Sequence, residues 1–100
     1  MYSYLNGNIY SGGWINDKKH GQGTYIYAIS NEKYEGEWSQ GNRHGSGVFT
    51  YQIGIYDGQF VNNTREGYGR FRYCNNSLLE GNWKGDKVEG LATLTLINGE

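Results

Sequence analysis

The residues with the most chemistry to offer in this chain of 100 are two histidines, one cysteine and a scatter of carboxylates. His20 and His44 each precede a Gly-x-Gly step, in Lys19-His20-Gly21-Gln22-Gly23 and Arg43-His44-Gly45-Ser46-Gly47. The equivalent places further on hold Glu66 and Glu89. A residue that returns in register along a repeat answers to structure, so we read these as exit residues of turns. A metal site needs His, Cys or carboxylate groups that converge. Cys74 stands in a connector at the far end of a strand from the histidines, where only a second chain could complete a ligand set. The chain contains no nucleophile elbow, phosphate loop or CxxC pair. Gly21-Gln22-Gly23 is not a dinucleotide fingerprint, because no helical pattern follows it. Glu35, Glu37, Asp57 and Glu80 fall on a face that reads as solvated. The expectation is therefore of no enzyme, with no catalytic residue, cofactor or metal.

Composition points to strands. There are 17 Gly, no Pro and ten Tyr among 16% aromatics. A disordered chain lacks such aromatics, and collagen needs Pro and a strict three-residue period. Tyr, Trp and Thr suit pleated strands, and Gly suits turns and close backbone approaches. The formal net charge of −1 supplies no field for nucleic acid. Apolar runs are too short for a membrane-spanning helix. The start Met1-Tyr2-Ser3-Tyr4 lacks the pattern of a signal peptide. A lone cysteine makes a reducing, cytoplasmic setting the expectation, and the two Asn-x-Ser/Thr sequons then follow from the abundance of Asn.

What must position these residues is a repeat. Tyr10-Ser11-Gly12-Gly13-Trp14 returns as Tyr34-Glu35-Gly36-Glu37-Trp38, Tyr56-Asp57-Gly58-Gln59-Phe60 and Leu79-Glu80-Gly81-Asn82-Trp83. Nine positions beyond the central glycine comes Gly21-Gln22-Gly23, Gly45-Ser46-Gly47, Gly67-Tyr68-Gly69 or Gly90-Leu91-Ala92. Each unit closes on Tyr27, Tyr51, Tyr73 or Leu96 and is 18 residues long; the connectors hold six, four and five. A fixed unit with elastic connectors is the mark of a supersecondary repeat. Tyr2 and Tyr4 align with the closing strand of a preceding unit. The expected organisation is residues 1–9 as that strand plus connector, then repeats at 10–33, 34–55, 56–78 and 79–100, in a piece of a longer array.

The alternation has period two, so these are strands. Tyr34, Gly36 and Trp38 point one way and Glu35 and Glu37 the other. In the next strand Gly45, Gly47, Phe49 and Tyr51 share the aromatic face. A ring lying flat over a strand needs backbone without Cβ beneath it, and glycine provides that gap. Five residues, such as Ser39 to Arg43, are expected to form each hairpin turn. The fold class is all-β: a single-layer, elongated, twisted antiparallel meander of stacked hairpins with about nine strands and a length of about 40 Å.

Y-x-G-x-W followed by H-G-x-G-x-x-x-Y, as in Tyr34 to Trp38 and His44 to Tyr51, resembles the MORN (membrane occupation and recognition nexus) repeat. The resemblance covers essentially the whole chain and is weakest in the fourth unit, where Leu79, Ala92 and Leu96 depart from it. It implies a scaffold that holds a peptide or helix along a groove or pairs with a second array. It also allows a regulatory repeat region ahead of an enzyme such as a lipid kinase or methyltransferase.

Two binding surfaces follow. The aromatic face, with Tyr10, Trp14, Tyr34, Trp38, Tyr56, Phe60 and Trp83 and with Tyr27, Tyr51 and Tyr73 beside them, is expected to take a protein partner, although part of it must serve as core. Self-association through that face or through open sheet edges is a variant. The alternative is a row of basic residues in the turns, Lys18, Lys19, Arg43, Arg65, Lys84 and Lys87, facing anionic lipid on a membrane. Asp17, Glu66, Asp86 and Glu89 along the same edge oppose it. A cytoskeleton or membrane association in the cytoplasm would fit either surface.

Overall fold

The computed structural model describes residues 2–95, apart from the side chain of Leu91. Leu96, which closes the fourth unit, and residues 97–100 of the fourth repeat lie outside that span. Nine strands run in chain order through one antiparallel sheet: β1 Tyr2–Ser3, β2 Ile9–Ile15, β3 Lys18–Ile26, β4 Lys33–Ser39, β5 Asn42–Tyr51, β6 Gly54–Val61, β7 Thr64–Tyr73, β8 Leu78–Lys84 and β9 Lys87–Thr95. Among the described residues there is no helix. The longest dimension is 47 Å, a little more than the sequence suggested.

The turns are shorter than expected, and the reason is local. Each hairpin closes through two residues with positive φ: Asn16 and Asp17 (50° and 65°), Gln40 and Gly41 (51° and 87°), Asn62 and Asn63 (48° and 75°), and Gly85 and Asp86 (56° and 71°). Such a pair is the mirror-image turn whose twist matches that of the flanking strands, and Asn, Asp and Gly tolerate it best. The residues freed from the turn extend the ladder, as in Ser39↔Asn42 and Trp38↔Arg43, and a bulge follows them. Between the pairs Gly36↔Gly47 and Trp38↔Arg43, Glu37 alone faces His44, Gly45 and Ser46. The Glu37 carboxylate bridges this gap by accepting a hydrogen bond from the Ser46 N–H at 2.9 Å. Gly21, Gly45, Gly67 and Gly90 take φ of 70° to 85° at the same place in each hairpin. The histidines thus lie in strand bulges and not at turn exits. A bulge on every hairpin adds local twist.

One layer of sheet has no second layer to bury its apolar side, so the rings bury one another. Tyr10, Tyr34 and Tyr56 are 0% exposed. Each lies along its own strand and donates its hydroxyl hydrogen to the carbonyl three residues on: Gly13 at 2.9 Å, Glu37 at 2.8 Å and Gln59 at 3.0 Å. The gap this needs is supplied across the ladder. A Cβ on Gly23, Gly47 or Gly69 would stand 2.2 Å from the hydroxyl of Tyr10, Tyr34 or Tyr56. The rings then meet edge to face along the array, Tyr34 with Trp38 at 5.0 Å, Tyr34 with Phe60 at 5.1 Å and Tyr56 with Trp83 at 5.3 Å. Such pairs contribute about 0.5–1.5 kcal/mol beyond their buried area. Trp38 and Trp83 also tie neighbouring repeats by donating from Nε1 to the carbonyls of Gly23 (3.1 Å) and Gly69 (3.2 Å).

Candidate functional site

The ten aromatic residues singled out from the sequence divide into two levels. Tyr10, Tyr34, Trp38, Tyr56, Phe60 and Trp83 are buried with Phe49 and Phe71 in the core. Their burial gives them the part of holding the sheet together. Tyr27, Tyr51 and Tyr73 sit half-buried on top of that core, with Tyr4 and Tyr25 beside them. Trp14, at the first hairpin, is 43% exposed. The half-buried tyrosines, bridged by the core residues Phe49 and Phe71, form a nearly continuous run of rings. Tyr4 lies 5.6 Å from Tyr25, Tyr25 4.7 Å from Tyr27, Tyr27 5.7 Å from Phe49, Phe49 4.1 Å from Tyr51, Tyr51 5.6 Å from Phe71 and Phe71 4.8 Å from Tyr73.

Three of the six basic residues assigned to the turn row also belong to this face. Lys19, Arg43 and Arg65 lie in strands β3, β5 and β7, two residues inside the turn. The Lys19 ammonium stands over Trp38 at 5.2 Å and Tyr25 at 5.3 Å. The Arg43 guanidinium is 5.0 Å from Phe49, and that of Arg65 is 4.7 Å from Trp83. Charge over ring faces is attractive, and more so where water is partly excluded. The other three, Lys18, Lys84 and Lys87, are exposed beside the turns. The turn edge is therefore left with half of its expected cations, and Asp17 remains there.

The sequence carries a signal for this. Counting back in twos from a closing tyrosine gives Tyr27, Tyr25, Gly23, Gly21, Lys19, and likewise Tyr51 to Arg43 and Tyr73 to Arg65. Alternation therefore puts the cation on the aromatic face, and a bulge of three residues against one keeps that parity. The fourth repeat has Val88 at this place, packed against the core.

Neighbouring repeats are latched where these cations stand. The second turn residue of one hairpin docks on the cation of the hairpin before it. Asn63 donates its N–H to the Arg43 carbonyl (3.0 Å), its Oδ1 accepts the Arg43 N–H (2.8 Å) and its carbonyl accepts from a guanidinium nitrogen (2.7 Å). Asp86 does the same for Arg65, at 3.2, 2.8 and 2.8 Å, and adds an ion pair at 3.2 Å. Gly41 gives Lys19 only the first of these contacts, its N–H to the Lys19 carbonyl at 2.9 Å.

Burial sets the titration of the face. It raises the phenol pKa of Tyr27 and Tyr51, and that of Tyr34 strongly. Tyr56 is pushed up to about 12. Loss of water lowers the pKa of Lys19. Elsewhere, His44 is exposed and His20 half-buried in their bulges. The exposed Cys74 thiol sits against the Gln52 carbonyl at 3.2 Å. Among the described residues, no three His, Cys, Asp or Glu groups gather as a metal site would require.

A protein-family model described as MORN repeat matches four times, over residues 10–32, 34–55, 56–78 and 80–100. A search of curated proteins gives no match. Repeats of this kind are non-catalytic modules of interaction or membrane association. The four matched stretches take in most of the chain and fall on its four hairpins, each with its bulge and the first three with the tyrosine over a glycine gap; the chain belongs to the MORN repeat family.

Proposed function

We propose that this chain is a non-catalytic scaffold that binds a protein partner, a peptide or a helix, along its aromatic face. The observation that carries the reading is the upper level of that face: half-buried tyrosines in a row, cations set among them, and no second layer of the described residues above them. Aromatic rings with Arg beside them give large contact area at small entropic cost, which is the composition of binding hot spots. The opposite face mixes isolated exposed aliphatic residues, such as Ile26, Ile55 and Val61, with charge pairs, Asp57 with Arg70 and Lys33 with Glu35, and has no comparable run of rings.

The test is selection of peptides on the protein from a displayed library, followed by substitution. Tyr51→Ser with Tyr73→Ser should weaken the selected peptides at least roughly tenfold, or about 1.4 kcal/mol, with an unchanged far-UV spectrum. Arg70→Ala should leave binding as it was. The reading fails if Arg70→Ala abolishes binding while the tyrosine pair leaves it intact.

A further inference from the structure

In the second and third repeats the cation has its backbone N–H capped by an Asn or Asp side chain from the next turn. The first repeat has the cation and lacks the cap, because Gly41 occupies the capping place. Among the described residues, no carboxylate comes within ion-pair distance of the Lys19 ammonium, and none of the side-chain hydrogen bonds involves it. The space where the cap would stand is open. A Cβ on Gly41 meets nothing within 4 Å, and Lys19, Gly41 and Arg43 border a hollow of about 300 Å³ walled by Tyr27 and Trp38.

We infer that this vacancy is a carboxylate-binding site: an Asp or Glu side chain of the protein partner enters beside Gly41, accepts the Lys19 backbone N–H and pairs with its ammonium, in the arrangement Asp86 already makes with Arg65. This rests on the reading of the aromatic face as the partner surface. It adds the register in which a partner lies, with an acidic residue at the first repeat and its apolar residues over Tyr27 and Tyr51. Three observations support it. The protein's own third repeat is a template with the same backbone geometry. The ammonium is partly desolvated over four rings, where an added charge partner is worth more than at an open surface. Arg43 borders the same hollow and adds a second positive charge.

The vacancy also supplies its own control. Gly41 has φ 87°, close to the 75° of Asn63 and 71° of Asp86, so Gly41→Asp fits the backbone and places a carboxylate where the partner's would go. The probe is N-acetyl-aspartyl-tyrosine amide titrated into the 100-residue protein, followed by the NMR shifts of the Lys19 amide and the Trp38 indole. A saturable shift of the Lys19 amide is expected with the aspartyl probe. The asparaginyl analogue should bind at least roughly threefold more weakly. Gly41→Asp should reproduce the Lys19 shift without probe, raise Tm and abolish the titration, and Lys19→Met should abolish it with the stem retained. The inference is overturned if Lys19 does not respond, if Gly41→Asp binds the probe undiminished, if the two probes bind alike, or if inorganic phosphate or phosphatidylserine vesicles move the same signals more strongly than the aspartyl probe. Failure here with peptide selection intact removes the carboxylate site and leaves the scaffold reading standing.

Discussion

The second and third repeats differ from the fourth at three linked positions, and the linkage shows what the repeat is made of. Where the opening residue is Tyr34 or Tyr56, the position across the ladder from the following glycine is Gly47 or Gly69. Where the opening residue is Leu79, that position is Ala92. A tyrosine reaches far enough for its hydroxyl to fill the place of the missing Cβ; a leucine stops short, and a methyl group takes up the room. The cation position changes with them, from Arg43 and Arg65 to Val88, so the fourth repeat keeps the apolar stripe and gives up the charge. Ring and gap are one unit, and the glycines are there as partners of the tyrosines more than as turn residues.

The largest effect should come from removing the ring. Tyr34→Ala is expected to cost about 4 kcal/mol, the scale for emptying a buried aromatic site, as measured by chemical denaturation. Filling the gap comes next. Gly47→Ala should cost about 3 kcal/mol by overpacking against the Tyr34 hydroxyl, yet less than about 1 kcal/mol in a Tyr34→Leu background, which copies the fourth repeat. That coupling, on the order of 2 kcal/mol in a double-mutant cycle, would be absent if the glycine served backbone conformation alone.

The same rings set an alkaline limit. Burial pushes the Tyr56 phenol up to about 12 in the folded protein, against the ordinary 10.0 when unfolded. The unfolded chain therefore releases its proton first as pH rises. Stability should hold below pH 10 and fall between pH 10 and 12, by a smaller margin in Tyr56→Phe. A thermal melt followed against pH measures this. Trp38→Phe, which makes the second repeat resemble the third with Phe60, should cost about 1 kcal/mol for the lost hydrogen bond to Gly23. On the opposite face Arg70→Ala should stay within about 0.5 kcal/mol, because its partner Asp57 is exposed and 4.0 Å away.

Most of this architecture was legible from the 18-residue period and the two-residue alternation, including strand order, the single layer and the glycine gaps under rings. Two features were not. Turn length is hidden because the polar residues flanking each two-residue turn read as loop, whereas Ser39↔Asn42 and Trp38↔Arg43 pair in the ladder and the three-against-one bulge at His44–Ser46 takes up the difference in strand length. The division of the aromatic face also escaped, because alternation assigns a side and not a depth. Tyr34 and Tyr51 share a side, and only the path of the Tyr34 ring beneath its neighbours seals it. The role of Gly41 needed the third dimension altogether, since its partner Lys19 is in the previous repeat.

The claim at the centre is that one face has two levels, a sealed set of tyrosines that holds the sheet and a half-covered set that meets a partner. Tyrosine nitration read residue by residue by mass spectrometry tests both at once, with and without a selected peptide. Tyr10, Tyr34 and Tyr56 should stay unmodified throughout. Tyr27, Tyr51 and Tyr73 should be nitrated in the free protein and protected by the peptide, while Tyr68, 56% exposed on the opposite face, reacts equally in both. Nitration of Tyr34 in the folded protein, or protection of Tyr68 in place of Tyr51, would contradict the account.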